Sequence, residues 1–409
     1  MTHFNIPASR RLEGVRYEIR GRLAHRALEL EKLGYEIISL NIGNPGLYGY
    51  RTPETMRLAM IENLGSSEPY CHQKGIFPAR EAVVMQQQSR GVLDVTAEDV
   101  FIGNGVSELI DLTLRALLNR GDEVLLPSPD YPLWTAATVL NDGRPVHYPC
   151  RPEAGWVPDP DEIESLITPR TRALLVINPN NPTGAVYPRE VLERIARIAE
   201  THHLVVFSDE IYDGMTYEDV EHVPMASLVH DTLCGTFSGL SKVYRACGYR
   251  VGWAVFSGNR ENAGEYLHAL ELLSALRLCS NVPGQWAVQT ALGGFQSIGE
   301  LVQPGGKLFE SRQAVIDGVA RSEFLEMVAP AGAMYAFPRV STESLPDFDD
   351  YQFALDLLEH KHVLVAPGVS FNVPFKDHFR LTTLPEPAIV DDALGRVEEL
   401  LHSYAVAEV

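Results

Sequence analysis

The residues able to do chemistry in this 409-residue chain sit in five short polar loops. They are Gly103-Asn104-Gly105-Val106-Ser107, Pro127-Ser128-Pro129-Asp130-Tyr131, Asn178-Pro179-Asn180-Asn181-Pro182-Thr183-Gly184, Ser208-Asp209-Glu210-Ile211-Tyr212 and Ser238-Gly239-Leu240-Ser241-Lys242. Each follows a short apolar run, and in open α/β sheets ligands bind at the carboxyl ends of the strands. That placement would bring a carboxylate (Asp209), a phenol (Tyr212), an amide (Asn181) and an amine (Lys242) to one crevice. Small residues around Lys242 let a flat ligand approach closely, and a partly buried amine there can act as nucleophile or base. The first loop runs into a helix, so its free N–H groups and the helix dipole make an anion site. By itself this loop is ambiguous. It half-matches the dinucleotide pattern GxGxxG, with Glu108 in place of the third glycine and Asp130 as the later acidic residue. No Walker lysine is present in it, which disfavours nucleotide hydrolysis.

Taken together the five loops change the balance. A carboxylate for a pyridine nitrogen and a lysine for an aldehyde describe a pyridoxal-phosphate pocket.

The elements that must position these loops are legible as pattern. Val100–Ile102, Glu123–Leu126, Ala173–Ile177, Leu204–Phe207, Leu233–Phe237 and Gly252–Phe256 are short and apolar on both faces. Helix-like stretches separate them, clearest at Ser107–Asn119 and Glu190–His202. This predicts a parallel, doubly wound sheet covered on both sides. After about residue 260 come long helices (262–278, 283–292, 306–321). A strand-and-helix tail follows, with strands at 333–337, 363–366 and 379–383 and a helix at 350–360. The division expected is an N-terminal arm and helix (1–50) joining a small α+β domain (296–409), with a large domain over 51–295. Ile19, Leu23, Ala27 and Leu30 recur at helical spacing, so 10–26 reads as one amphipathic helix with a basic face.

Lys+Arg 34 against Asp+Glu 54 gives a net charge of −20. That excludes a duplex nucleic-acid binder, which needs basic surface, and disfavours anionic membranes. No apolar run approaches the roughly 20 residues needed to span a bilayer, and the N-terminus carries no hydrophobic leader. The cysteines at 71, 150, 234, 247 and 279 form no CxxC pair. They predict neither a disulfide framework nor a zinc site, and a reducing cytosol. The paired histidines 202 and 203 read as helix capping, no metal site is expected, and Cys247 reads as a small buried hydrophobe.

NPNNPTG (178–184), SDEIY (208–212) and SGLSKVYRACGYRVGW (238–253) resemble the motifs of the class I aminotransferases, of pyridoxal-phosphate fold type I. YEIRG (17–21), LNIGNPG (40–46), GNGVSELI (103–110), PDYPLW (129–134) and FRLTTLP (379–385) extend the likeness over nearly the whole chain, toward the bacterial glutamate–pyruvate (alanine) subgroup. The resemblance implies an α/β enzyme with a mostly parallel doubly wound sheet in a large domain and a smaller α+β domain. It also implies a homodimer using pyridoxal 5′-phosphate. The reaction implied is L-alanine + 2-oxoglutarate = pyruvate + L-glutamate, through pyridoxamine phosphate. Aspartate, aromatic or branched-chain donors, or a lyase on the same fold, stay open at this point.

Carried over residue by residue, Lys242 would bond to the cofactor aldehyde and shuttle the proton. Asp209 would hold the ring nitrogen protonated, Tyr212 and Asn181 would bond the phenolic oxygen, and Tyr131 would lie against the ring face. The phosphate would rest on the Gly105-Val106-Ser107 turn, with Arg250 supplying a charge-assisted contact. Tyr70 would reach the phosphate of the partner subunit. Arg380 would bind the substrate α-carboxylate beside Gly43 and Asn181. Arg20, on the N-terminal helix with Tyr17 at i−3, would take the γ-carboxylate of glutamate while Tyr17 closes around a small side chain. Gly239 stands where many relatives have a phosphate-binding serine, leaving Ser238 or Ser241 to supply the hydroxyl.

Overall fold

The computed structural model describes residues 6–13, 15 and 21–407. Seven strands join in its main sheet, six of them apolar. In chain order they are β1 (Val100–Gly103), β2 (Glu123–Ser128), β3 (Arg144–Pro149), β4 (Thr171–Ile177), β5 (Val205–Asp209), β6 (Leu233–Gly239) and β7 (Gly252–Gly258). Their order across the sheet is β1-β7-β6-β5-β4-β2-β3. The run from β3 to β6 is parallel throughout. The sheet is mostly parallel, as expected, and the exception is β7, which runs antiparallel to both β6 and β1. Apolar composition does not encode a strand's direction. The sequence reading lacks β3, because Arg144, Pro145, His147 and Pro149 break its apolar run. The sheet tolerates this because β3 is a partly exposed edge strand, where a missing N–H is least costly.

Successive strand residues point to opposite faces, and each face meets its own helices. Ala173, Leu175 and Ile177 pack with Leu109 and Ile110 of the helix Val106–Leu117. Leu174 and Val176 pack with Leu192 and Ile195 of the helix Arg189–Thr201. Each of these leucine, isoleucine and valine side chains, fully buried, contributes ~1.5–3 kcal/mol over exposure.

The helix expected over 10–26 is shorter and later. It spans Arg22–Lys32, with Gly21 at its N-cap in a non-helical conformation. Arg10–Leu12 form a separate 3₁₀ turn, and Arg11 there pairs with Asp142 at 2.9 Å. Tyr17 and Arg20 lie outside the described residues. Leu23, Ala27 and Leu30 bury into a core with Val315, Phe353, Leu357 and Leu401. A small antiparallel sheet finishes the architecture: Phe379–Thr382 pairs with Tyr335–Ala336 on one side and Ala366–Pro367 on the other.

Candidate active site

The carboxyl ends of β1, β2, β4, β5 and β6 open on a cavity of about 860 Å³. Because β7 is antiparallel, its first residues arrive at this same edge, and that is how Arg250 reaches the cavity. Gly252 pairs with Gly103 of β1 and Gly239 of β6. A Cβ on Gly252 would lie 2.5 Å from the Val106 nitrogen, and one on Gly239 would lie 2.8 Å from the Val251 carbonyl oxygen. The backbones therefore approach too closely for side chains, so the absence of a serine at 239 has a steric counterpart. Of the two serines left open, Ser241 lines the cavity. Ser238 is buried within β6 and does not line it.

One end of the cavity is built for an anion. Val106 and Ser107 line it at the start of their helix, where amides lack intrahelical acceptors. Gly105 precedes them at φ +80°, and a Cβ there would collide with the Arg250 guanidinium. Gly105 itself is behind the wall rather than part of it. Arg250, at φ +53°, donates to the carbonyls of Cys247 (3.0 Å) and Asn104 (3.3 Å). Glu108 is a brace: it accepts from the Asn104 N–H at 2.7 Å and pairs with Arg277 at 3.2 Å. Cys247 is not the buried hydrophobe expected. It lines the cavity and its thiol donates to the Ser241 carbonyl at 2.9 Å.

Asp209, Tyr212, Asn181, Lys242 and Tyr131 all line the same space, together with Gly43 and Arg380. Asp209 is buried, and its Oδ2 accepts the Trp134 indole N–H at 2.9 Å. Burial raises its pKa to about 6, although the Trp134 hydrogen bond and the Ile211 amide pull the other way. Trp134, which the sequence suggests only as a core aromatic, thus orients the carboxylate. Lys242 Nζ donates to the Gly43 carbonyl at 2.6 Å. Arg380 is buried, donates to Asn181 Oδ1 at 2.9 Å and also bonds the Asn41 carbonyl. Engaged this way, Asn181 keeps its NH₂ as a donor.

Tyr335 is the most closely engaged of the lining residues that the sequence did not mark, a set that also includes Asn44, Leu47 and Gly248. Its hydroxyl is 3.1 Å from that of Tyr212, its ring lies 4.3 Å from the Arg380 guanidinium, and a Cβ on Gly43 would strike its hydroxyl. Burial opposes its ionisation, yet the Lys242 and Arg380 charges hold its pKa below the ordinary tyrosine value. Tyr212 is pushed well above that value by burial. The only sequence signal for Tyr335 was its place in a predicted strand.

Tyr70 stands apart, 77% exposed and outside the cavity wall. Asp130, the acid of the dinucleotide alternative, is fully buried behind Tyr131 and does not line the cavity. Among the described residues no group of three or more His, Cys, Asp or Glu side chains could hold a metal ion.

Comparison with known proteins places this geometry. The model of the family "Aminotransferase class I and II" matches residues 35–397. The chain is 47% identical to glutamate-pyruvate aminotransferase AlaA of Escherichia coli over 98% of both proteins. It is 48% identical to an alanine aminotransferase of Mycobacterium tuberculosis, over 97% of this chain and 92% of that protein. A crystal structure of an Escherichia coli aminotransferase superposes with a TM-score of 0.96 at 46% identity, covering 98% of this chain and 99% of that one. A cavity of this make-up on a sheet of this topology, matched by relatives along almost the whole chain, makes the protein a member of the class I and II aminotransferases.

Proposed function

We propose that this aminotransferase exchanges the amino group between L-alanine and 2-oxoglutarate with pyridoxal 5′-phosphate as cofactor. One observation carries the substrate pair: a relative 47% identical over nearly its full length is named a glutamate-pyruvate aminotransferase, and one at 48% is named an alanine aminotransferase. The donor set fits the cofactor group by group. Val106, Ser107 and Arg250, with the Ser241 hydroxyl, would hold the phosphate, and Tyr131 would face the ring. Asp209 would hold the ring nitrogen, Asn181 and Tyr212 would hold the phenolic oxygen, and Lys242 would take the aldehyde. Bound there, the cofactor supplies an electron sink that makes the substrate Cα proton removable.

The chain's own residues do the rest. Arg380 grips the α-carboxylate with its planar donor pair, while Asn181 holds the guanidinium in place. Lys242, near Gly43 where that carboxylate would lie, takes the Cα proton on Nζ and delivers it to the cofactor side. Asp209 stays ionised beside the protonated ring, and burial strengthens that pairing. Initial rates with alanine and 2-oxoglutarate varied together test the reading. Parallel reciprocal plots are expected, and intersecting plots would refute the alternating mechanism.

Glutamate presents a second carboxylate and alanine does not, and a permanently buried second arginine would be costly when alanine binds. We infer that Arg20 serves the γ-carboxylate of glutamate and that Tyr17 borders the small side chain of alanine. Arg20→Ala is expected to lower kcat/KM for glutamate and 2-oxoglutarate about tenfold or more, as for loss of a charged hydrogen bond. Alanine and pyruvate should change little. Equal losses in both halves would reduce Arg20 to a docking contact.

A second expectation concerns stability. The raised pKa of Asp209 means that a proton on this group favours the folded chain. Its stabilising effect is full below the ordinary value of 3.8 and is lost as pH rises through about 6. A shift of that size is on the order of 3 kcal/mol. Asp209→Asn keeps an oxygen for Trp134 and carries no charge. Freed of cofactor by dialysis, it should melt higher than the parent at pH 7, with the advantage gone by pH 4. A lower melting point at pH 7 would contradict this.

The assembly supported best is a homodimer in the cytoplasm. Leu58, Ile61, Leu64, Tyr70, Phe77 and Leu276 leave large apolar surface exposed, which a second copy would cover. The cysteines are free, as suits a reducing compartment. No helix among the described residues is long and apolar enough to cross a membrane.

A further inference from the structure

Asp130 is next to the cavity-lining Tyr131 but does not line the cavity: one of its oxygens meets a second segment of the chain, and the other a threonine of the helix that follows. Oδ1 accepts from Asn372 Nδ2 at 2.7 Å, and Oδ2 accepts from Thr135 Oγ1 at 2.5 Å. Thr135 Oγ1 also lies 3.0 Å from His147 Nε2. The Asp130 amide donates to the Phe371 carbonyl at 3.1 Å, and Ser128 Oγ donates to the Asn372 carbonyl at 2.8 Å. Residues 128–130, at the end of β2, are therefore fastened to residues 371–372. Asn372 ends the 3₁₀ turn Gly368–Phe371 in a left-handed conformation, φ +55°. The fastened turn carries Phe371, whose ring lies 4.7 Å from the Arg380 guanidinium. It also follows directly on Ala366–Pro367, and Ala366 pairs with Arg380 in the small sheet.

A buried carboxylate is costly unless donors satisfy it, and here a decisive donor comes from the segment that packs on Arg380. We propose that Asp130 is a positioning residue for substrate binding: through Asn372 it clasps the 368–372 turn, and so holds Phe371 and the Arg380 guanidinium in register with the cavity. This rests on the carboxylate-binding role given to Arg380 above. It assigns substrate affinity to a residue that never touches substrate.

Succinate, a dicarboxylate without an amino or oxo group to react, is the probe. Its Kd on the holoprotein is measured by calorimetry beside the kinetics of both half-reactions. Asp130→Asn is expected to weaken succinate several-fold to about tenfold, because an amide oxygen can still accept from Asn372 but without the charge that makes such a buried hydrogen bond strong. KM for alanine and for 2-oxoglutarate should rise together, with kcat at saturation nearly unchanged. The reciprocal exchange Asp130→Asn with Asn372→Asp restores a charge-assisted hydrogen bond between the two segments and should recover most of the affinity. A purely structural Asp130 would lower the melting point without this split or this rescue. Phe371→Leu leaves Asp130 in place and should reproduce the rise in KM even where Asp130→Asn folds poorly. Wild-type succinate affinity in both Asp130→Asn and Phe371→Leu would overturn the proposal. Unchanged affinity in Arg380→Lys would instead overturn the role of Arg380 itself.

Discussion

Replacing Lys242 with alanine is expected to abolish turnover while leaving the fold intact. Lys242 is the one amine among the described residues lining the cavity, and Arg250 and Arg380 cannot give up a proton at physiological pH. Losing both the covalent anchor and the proton carrier should cost at least ~10⁴-fold in kcat. The fold should tolerate the change, because the hydrogen bond that the side chain donates to the Gly43 carbonyl is worth only ~1 kcal/mol. The melting point of the variant checks the second half of the expectation. Borohydride reduction of the parent holoprotein, followed by peptide mapping, checks the first. A cofactor fixed to another lysine would contradict it.

Asp209→Ala is expected to be the next most damaging change, and Asp209→Glu much milder. The carboxylate acts electrostatically where carbanion charge develops, and removing one preorganised group of this kind costs ~10²–10³-fold. Glutamate keeps the charge and misplaces it, so the Trp134 indole, now 2.9 Å from Oδ2, would meet a shifted acceptor. Alanine removes the charge and orphans the buried indole N–H as well. Both variants are compared by kcat with alanine as donor, at saturating cofactor. A fully active Asp209→Ala would remove the electron-sink role from this residue. The same carboxylate that costs stability at neutral pH is the one the chemistry needs, so the two Asp209 expectations bear on each other. Asp209→Asn should gain stability without cofactor and lose activity with it.

The loops at the strand ends were readable because each pairs a strand-length apolar run with residues whose polarity has no structural use in a covered sheet. That logic found Asp209, Tyr212, Asn181 and Lys242, and the structure brings them to one cavity. Residues that depend on chain direction or long-range register were not readable in the same way. Arg250 reaches the site because β7 is antiparallel, which no local pattern encodes. Tyr335 reaches it through the pairing Tyr335↔Thr382, and it has no polar neighbours in sequence to mark it. β3 is hidden by its own prolines, tolerated at an edge. The N-terminal helix starts late because periodicity alone cannot see the stop at Gly21. Trp134 looked like core and is core, but the indole N–H aimed at Asp209 is a fact of three-dimensional packing.

The proposed reaction requires that the amino group stay on the enzyme between two half-reactions. A single-turnover experiment tests it most directly: holoprotein mixed with excess L-alanine and no oxo-acid acceptor, with pyruvate, ammonia and the cofactor absorbance followed together. The expected result is one equivalent of pyruvate per chain, no ammonia, and then arrest. Adding 2-oxoglutarate should release one equivalent of glutamate and restore the starting spectrum. Continued pyruvate formation accompanied by ammonia would make the protein a lyase, and no pyruvate at all would remove alanine as its substrate.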